Sequence, residues 1–382
     1  MELYIHIPYC RQKCRYCDFA SYVGQEGTMA AYVDALLREA DAMSANARGT
    51  SIQTVFIGGG TPSTLPAELL NKLLTGLHER FDIPAGIEFT SEANPGTLNP
   101  EWLEAAIAGG VNRISMGMQA AQAELLKSLG RIHTHADVID SVNLARRMGI
   151  ENLSVDLMFG LPGQTPNMWR ESLDAAIDLD VEHMSCYGLI PEDGTPLKRD
   201  LDAGRLTLPD EADERQMYDD TLRILTQHGY QQYEISNFAK PTRECQHNIG
   251  YWTRVPYIGL GASAASFLQT KSGGLRLTNP SSLRDYITMA DEQAWRRRER
   301  VSLLPEDARF ESLMLGLRMT AGVSEDAFAA MHGISLEHYC GEILQMQEQR
   351  RLLRHEDGRW ALTRRGMDVQ NALLVEIMEA TE

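Results

Sequence analysis

Six short runs rich in β-branched and aromatic residues, at 3–7, 54–57, 87–91, 113–118, 153–158 and 184–189, are separated by stretches with helical periodicity. The helices are predicted at 30–44, 66–80, 100–109, 121–129 joined with 134–148, and 166–180. Strands joined by crossovers of that length run parallel, because a right-handed crossover returns the chain to the same sheet. Closing an eight-stranded barrel would take two more repeats. After 189, however, the alternation gives way to a Pro-, Gly- and Asp-containing segment at 191–209 and a helix at 211–228. The expected fold is therefore α/β: a partial, TIM-like (β/α)6 barrel, open on one side, with its chemistry at the carboxyl ends of the strands.

The chain has 382 residues, more than the roughly 250 at which one core usually stops growing, so a second unit is expected. Beyond 303 the pattern changes to helices at 306–319, 324–331 and 335–350, a two-stranded wing turning at Asp357-Gly358, and a last helix at 364–378. Three segments result: a barrel over 1–200, a barrel extension over 201–302, and a mostly helical, winged-helix-like unit over 303–382. The basic run 296–300 before that unit reads as a solvated linker.

Charge narrows the partners. Thirty-six Lys and Arg against 53 Asp and Glu give a net charge of −17, which repels phosphate backbones and argues against nucleic acid despite the wing. The charge-poor stretch 255–270 is interrupted by Gly, Ser and Pro and falls short of the ~20 apolar residues of a membrane span. The N-terminal residues lack a secretion signal, so a cytoplasmic location is expected.

Three of the six cysteines, Cys10, Cys14 and Cys17, crowd the loop after the first strand, while Cys186, Cys245 and Cys340 are scattered. Clustered thiols in a reducing compartment point to metal or redox chemistry. A cubane 4Fe-4S cluster needs four outside ligands, and three cysteines leave one iron open. The amino acid end of S-adenosylmethionine (SAM) can fill that position, and an electron from the cluster can cleave its sulfonium to a 5′-deoxyadenosyl radical. The competing reading is zinc, which would require a further ligand, with His6 the nearest histidine.

The Cys10-x3-Cys14-x2-Cys17 spacing, with Tyr4, His6, Pro8 and the aromatic Tyr16 before Cys17, resembles the radical SAM superfamily. The resemblance implies Cys10, Cys14 and Cys17 as cluster ligands and a SAM site that includes Tyr4 and Tyr16. The run Gly58-Gly59-Gly60-Thr61-Pro62 after strand two is similar to the family's site for the SAM amino group, giving Gly59, Gly60 and Thr61; alone it would be a tight strand-to-helix turn. Glu92, Gln119, Arg131 and Asp156 fall on or after successive strands. An arginine can grip the SAM carboxylate, and the others can meet ribose and base. Taken singly, each also fits an ordinary cap, ion pair or buried polar network.

Within the superfamily the whole chain resembles the group that joins oxygen-independent coproporphyrinogen III oxidase and the HemW-type heme chaperones. The oxidase pattern carries a further cysteine where this chain has Phe19, and a long arm where nine residues precede Cys10. Both departures favour the chaperone side, as does His247-Asn248-Ile249-Gly250-Tyr251-Trp252, which matches its H-N-x-x-Y-W signature. The resemblance implies heme or another tetrapyrrole as ligand, a hemoprotein acceptor, and a reductant such as flavodoxin or ferredoxin. His247 is a candidate axial heme ligand, and Tyr251 and Trp252 could stack on a macrocycle. The same residues equally suit a packed aromatic pair with a hydrogen-bonded histidine. The alternatives in function are oxidative decarboxylation of coproporphyrinogen III and another radical reaction on a porphyrin.

Overall fold

The computed structural model describes residues 1–270 and 273–381. Six parallel strands follow one another in sequence and in space: β1 (Glu2–Ile7), β2 (Thr54–Gly59), β3 (Glu88–Ala93), β4 (Arg113–Gln119), β5 (Asn152–Phe159) and β6 (His183–Gly188). Between them run α1 (Met29–Ser44), α2 (Ala67–Arg80), α3 (Pro100–Ala108), α4 (Ala123–Ser128), α5 (His135–Arg147) and α6 (Pro166–Ile177). The helix starts are written locally. Asn99 and Thr165 accept from the backbone N–H of Trp102 and Met168, each followed by Pro in the first turn, and Thr134 forms a capping box with Asp137. Each such cap contributes about 1 kcal/mol.

Period-two alternation divides the two faces of the barrel wall. Leu3, Ile5 and Ile7 of β1 and Val55 and Ile57 of β2 are fully buried in the core shared with Leu36, Leu70 and Leu73 of the helices. The intervening residues, among them Tyr4, Phe56, Glu92, Ser115, Asp156 and Ser185, line a chamber inside the barrel. The polar interior leaves room for a ligand where a filled barrel would pack aliphatic layers.

The sheet extends beyond the six expected strands on both edges. After β6 come α7 (Pro196–Asp202), α8 (Glu211–Gln227), β7 (Gln231–Gln232) and β8 (Asn237–Ala239), with β8 antiparallel to β6. The chain then forms α9 (Gln246–Trp252) and crosses to the far edge, where β9 (Tyr257–Leu260) pairs parallel with β1. β10 (Ala265–Leu268), β11 (Gly274–Thr278), α10 (Leu283–Asp291) and β12 (Glu299–Leu303) follow, the strands antiparallel to one another. Part of the stretch 255–270 is thus β-structure, and no helix among the described residues is long and apolar enough to cross a membrane. The basic run 296–300 is not a solvated linker throughout. Arg298 is buried, its guanidinium pairing at 2.6 Å with Glu39 of α1 and donating to Asn279, because the fully buried Glu39 carboxylate requires a cation.

The C-terminal part has its own core of Leu313, Phe328, Leu344, Trp360 and Ile377. It comprises α11 (Pro305–Gly316), β13 (Val323–Ser324), α12 (Glu325–His332), α13 (Leu336–Gln349), β14 (Leu353–Glu356), β15 (Arg359–Leu362), α14 (Arg364–Asp368) and α15 (Gln370–Thr381). Its three short strands form a small antiparallel sheet in the order β13-β15-β14. The single final helix expected over 364–378 is two, separated at Val369. Arg254, in the turn after α9, joins this part to the barrel by donating to Glu311 of α11 at 3.2 Å.

Candidate functional site

The cysteine loop leaves β1 and is held at three places by backbone hydrogen bonds: Cys10 N–H to Tyr22 O, Arg15 N–H to Leu129 O, and Leu197 N–H to Arg15 O. An ion pair between Arg15 and Asp200 adds a further tie. Cys10, Cys14 and Cys17 line one cavity together with Tyr16, Gly59, Gly60, Thr61, Glu92, Gln119, Arg131 and Asp156. Every cluster and SAM residue expected from the sequence is therefore in one place except Tyr4. Its hydroxyl bonds His6 Nδ1 at 3.0 Å, and it lines the inner chamber instead.

Each position has a local cause. At Gly59, φ is +110°, and a Cβ would lie 2.5 Å from the His6 ring. At Gly60 a Cβ would meet Tyr9 O at 2.7 Å, so the bare backbone is what lets this turn lie against the cysteine loop. The Gly60 and Thr61 N–H groups donate to Ile7 O and Tyr9 O, and the Thr61 hydroxyl donates to Cys10 Sγ at 3.6 Å. A register shift at Gly117/Gln119 with Gln119 at φ +65° bends the end of β4. The irregularity brings Gln119 to the cavity wall.

Arg131 is the electrostatic centre of the cavity. It donates to Cys14 Sγ at 3.5 Å, to Asn94 Oδ1 at 2.9 Å and to Gly117 O at 2.6 Å. Asn94 in turn donates to Thr61 Oγ1 at 2.8 Å, tying the third strand end to the second. Burial, reinforced by Asp156, pushes the Glu92 carboxyl up to about 8, while Glu92 accepts from Gly59 N–H at 3.1 Å. Burial also raises Asp156, which accepts from Ser115 at 3.3 Å. These two carboxyls, with Ser115, line both the cysteine cavity, of about 140 Å³, and the inner chamber, of about 220 Å³, and so form a wall that the two spaces share.

The fit to a three-cysteine cluster rests on the donor set. His6, the histidine that the sequence offers as a fourth zinc ligand, has both ring nitrogens engaged, by Tyr4 and by Ala20 O at 2.9 Å. Cys186, Cys245 and Cys340 are buried elsewhere. Cys10, Cys14 and Cys17 would thus hold three irons of such a cluster and leave one to a ligand in the cavity that Glu92, Gln119 and Arg131 also line.

His247 lies elsewhere, on α9, which closes the barrel at the amino ends of the strands. Glu88 of β3 accepts from the backbone N–H of Gln246 and His247 at 2.8 and 3.0 Å, capping this short helix. His247 is fully buried; its Nδ1 bonds Thr54 Oγ1 at 2.7 Å and its Nε2 the Tyr251 hydroxyl at 2.9 Å. Burial lowers its pKa to about 3. No ring nitrogen is left for iron, so the geometry here is that of the hydrogen-bonded packing histidine. The sequence reading missed Asn94, Ser115 and Tyr187 as wall residues; the inward phase of β4 and β6 was the signal that could have found the latter two.

Comparison with known proteins gives this geometry a lineage. Residues 4–176 match the model of the radical SAM superfamily, and residues 303–369 match that of the HemN C-terminal domain. The chain is 39% identical over 364 residues to a Bacillus subtilis protein named heme chaperone HemW, covering 95% of each. The chain belongs to the HemW family. An Escherichia coli member of the same name is 35% identical over 381 residues, covering 98% of this chain and 97% of the relative. The solved structure of coproporphyrinogen III oxidase (HemN) from E. coli superposes with a TM-score of 0.84 at 23% identity, covering 98% of this chain and 89% of that one; the two share the α/β radical SAM fold. As a radical SAM protein, this HemW-family chain uses a 4Fe-4S cluster and SAM.

Proposed function

We propose that the chain is a heme chaperone: it binds heme, keeps a 4Fe-4S cluster and SAM at the barrel mouth, and hands the heme to a hemoprotein acceptor. The observation that carries this reading is the 39% identity across 95% of both chains with a protein named for that role. Coproporphyrinogen oxidation is the weaker reading. At 23% identity the oxidase shares the fold alone, and the position of its further cysteine is Phe19, exposed at 63% on the cavity wall.

Cys10, Cys14 and Cys17 hold the cluster in this reading. Arg131 offsets thiolate charge at Cys14 and faces the SAM carboxylate, Gly59, Gly60 and Thr61 line the side of its amino group, and Tyr16, Glu92, Gln119 and Asp156 meet the nucleoside. When bound, the cluster and SAM supply one-electron cleavage of the sulfonium bond. A reductant such as flavodoxin or ferredoxin delivers the electron, and the six unpaired cysteines suit a reducing cytoplasm.

The test has two arms on anaerobically reconstituted protein. Electron paramagnetic resonance of the reduced cluster shifts on adding SAM if one iron is open. Added heme gives a shifted Soret band and then passes to an apo-hemoprotein. Catalytic conversion of coproporphyrinogen III to protoporphyrinogen IX, without heme transfer, would replace this reading with the oxidase.

A further inference from the structure

A third open space is larger than either the cysteine cavity or the inner chamber. A cleft of about 890 Å³ runs along the open side of the barrel, between β6, the turn before β8, α9 and the start of α15. It falls in the upper part of the ~300–1,000 Å³ range of small-molecule sites. Tyr187 and Ile190, 40% and 71% exposed, offer it broad apolar surface, and Tyr251, Trp252, Arg318 and Met367 complete the lining.

Four buried polar side-chain atoms without a hydrogen-bond partner belong to residues of this one cleft: Glu234 Oε2, Asn237 Oδ1, Trp252 Nε1 and Arg318 Nε. Glu234 is fully buried and Asn237 is 3% exposed. Buried polar atoms are normally paired, so these four leave unmet hydrogen-bonding capacity just behind the surface of the cleft. Exposed apolar faces over such a wall suit an apolar ligand with a polar edge.

Charge identifies that edge. The Arg318 guanidinium stacks on Trp252 at 4.4 Å and lies 3.8 Å from Glu234 Oε2, too far for a hydrogen bond. The first residues of α15, Gln370 to Ala372, line the same wall and add the positive end of a helix dipole. Asp368 is paired with Arg215 and Arg364, and Glu214 sits near Gly160 and Gly188 at the mouth end of the cleft. Arg318 is the one cationic side chain among the described residues that line the cleft; Glu234 is held 3.8 Å away and burial raises its carboxyl toward the neutral form, so the arginine end has room for an anion.

We propose that the tetrapyrrole lies in this cleft, its ring against Tyr187 and Ile190 and its propionate groups at Arg318 and Trp252. The proposal rests on the heme-chaperone reading for the identity of the ligand. Tyr187, Asn248 and Tyr251 border both the cleft and the inner chamber, which shares Glu92, Ser115 and Asp156 with the cysteine cavity. A macrocycle in the cleft is thus one side-chain layer from the space shared by Glu92 and Asp156, while His247 stays in its packing role.

The full chain with its cluster is titrated with hemin and with metal-free protoporphyrin IX. Arg318→Gln and Ala372→Trp, in different elements of the cleft lining, each weaken both macrocycles tenfold or more, with iron content and the spectral response to SAM unchanged. Arg318→Lys recovers part of the loss; no recovery would overturn the role given to the charge. Wild-type affinity in both folded variants would overturn the cleft and leave the chaperone reading standing. Binding that depends on Arg318 but without transfer to an apo-hemoprotein would overturn the chaperone reading and leave the cleft. A wild-type chain that binds neither macrocycle would overturn the cleft.

Discussion

Arg131 holds Cys14 Sγ at 3.5 Å with one terminal nitrogen and the Gly117 carbonyl at 2.6 Å with the other, so one side chain joins the cluster loop to the end of β4. Hydrogen bonds to a charged group contribute about 1.5–3 kcal/mol. Arg131→Met is expected to lower cluster retention about tenfold or more under chelator challenge, read as iron per chain, and to broaden the reduced-cluster spectrum. Retention equal to wild type would show that the guanidinium does nothing for the thiolates.

Gly250 stands where α9 crosses β1, and a Cβ there would lie 1.8 Å from Glu2 Oε1. Gly250→Ala forces the buried Glu2 carboxyl out of its place at the closed end of the barrel. Overpacking of this kind costs about 1–3 kcal/mol. The midpoint of thermal unfolding should fall by several degrees, with the EPR signal of reconstituted protein unchanged.

Glu2 gives stability a pH dependence. Burial raises its carboxyl from 4.5 to about 8 in the folded chain. Between those values the native state holds a proton that the unfolded chain has released, so stability falls as pH rises from about 4.5 to about 8. Glu2→Gln removes this dependence: its unfolding midpoint in urea should match wild type near pH 5 and exceed it near pH 8.5. An equal pH response in the two proteins would show that Glu2 ionises normally.

His247 is bonded at both ring nitrogens, to Thr54 and Tyr251. His247→Ala leaves those two hydroxyls without their partner and should cost about 1–3 kcal/mol for each that stays unsatisfied. The Soret maximum of the heme complex should stay in place in the folded variant. A displaced maximum would make the imidazole an iron ligand after all.

The six βα units are legible because each strand and helix carries its own period, and α3, α5 and α6 also carry their own caps, as Thr134 with Asp137 does for α5. The cluster loop is legible because its three thiols are close in sequence. What the sequence conceals is long-range pairing. Arg298, in the run read as a solvated linker, is in fact neutralised in the interior by Glu39 of α1. The strands from β9 to β12 are short, and a Gly–Ala–Ser turn separates the first two, so periodicity alone does not distinguish them from loop. Likewise the carboxyls of Glu92 and Asp156 share a cavity only because β4 and the barrel's curvature bring β3 and β5 round to face it.

The pairing of β1 with β9 has a consequence for biosynthesis. The strand that leads into the cysteine loop gets its second neighbour from residues 257–260, late in translation. Until the ribosome has delivered them, that strand offers a bare edge to any passing chain. Iron–sulfur loading of a stable loop is therefore expected only once residues 257–260 have emerged and paired with β1.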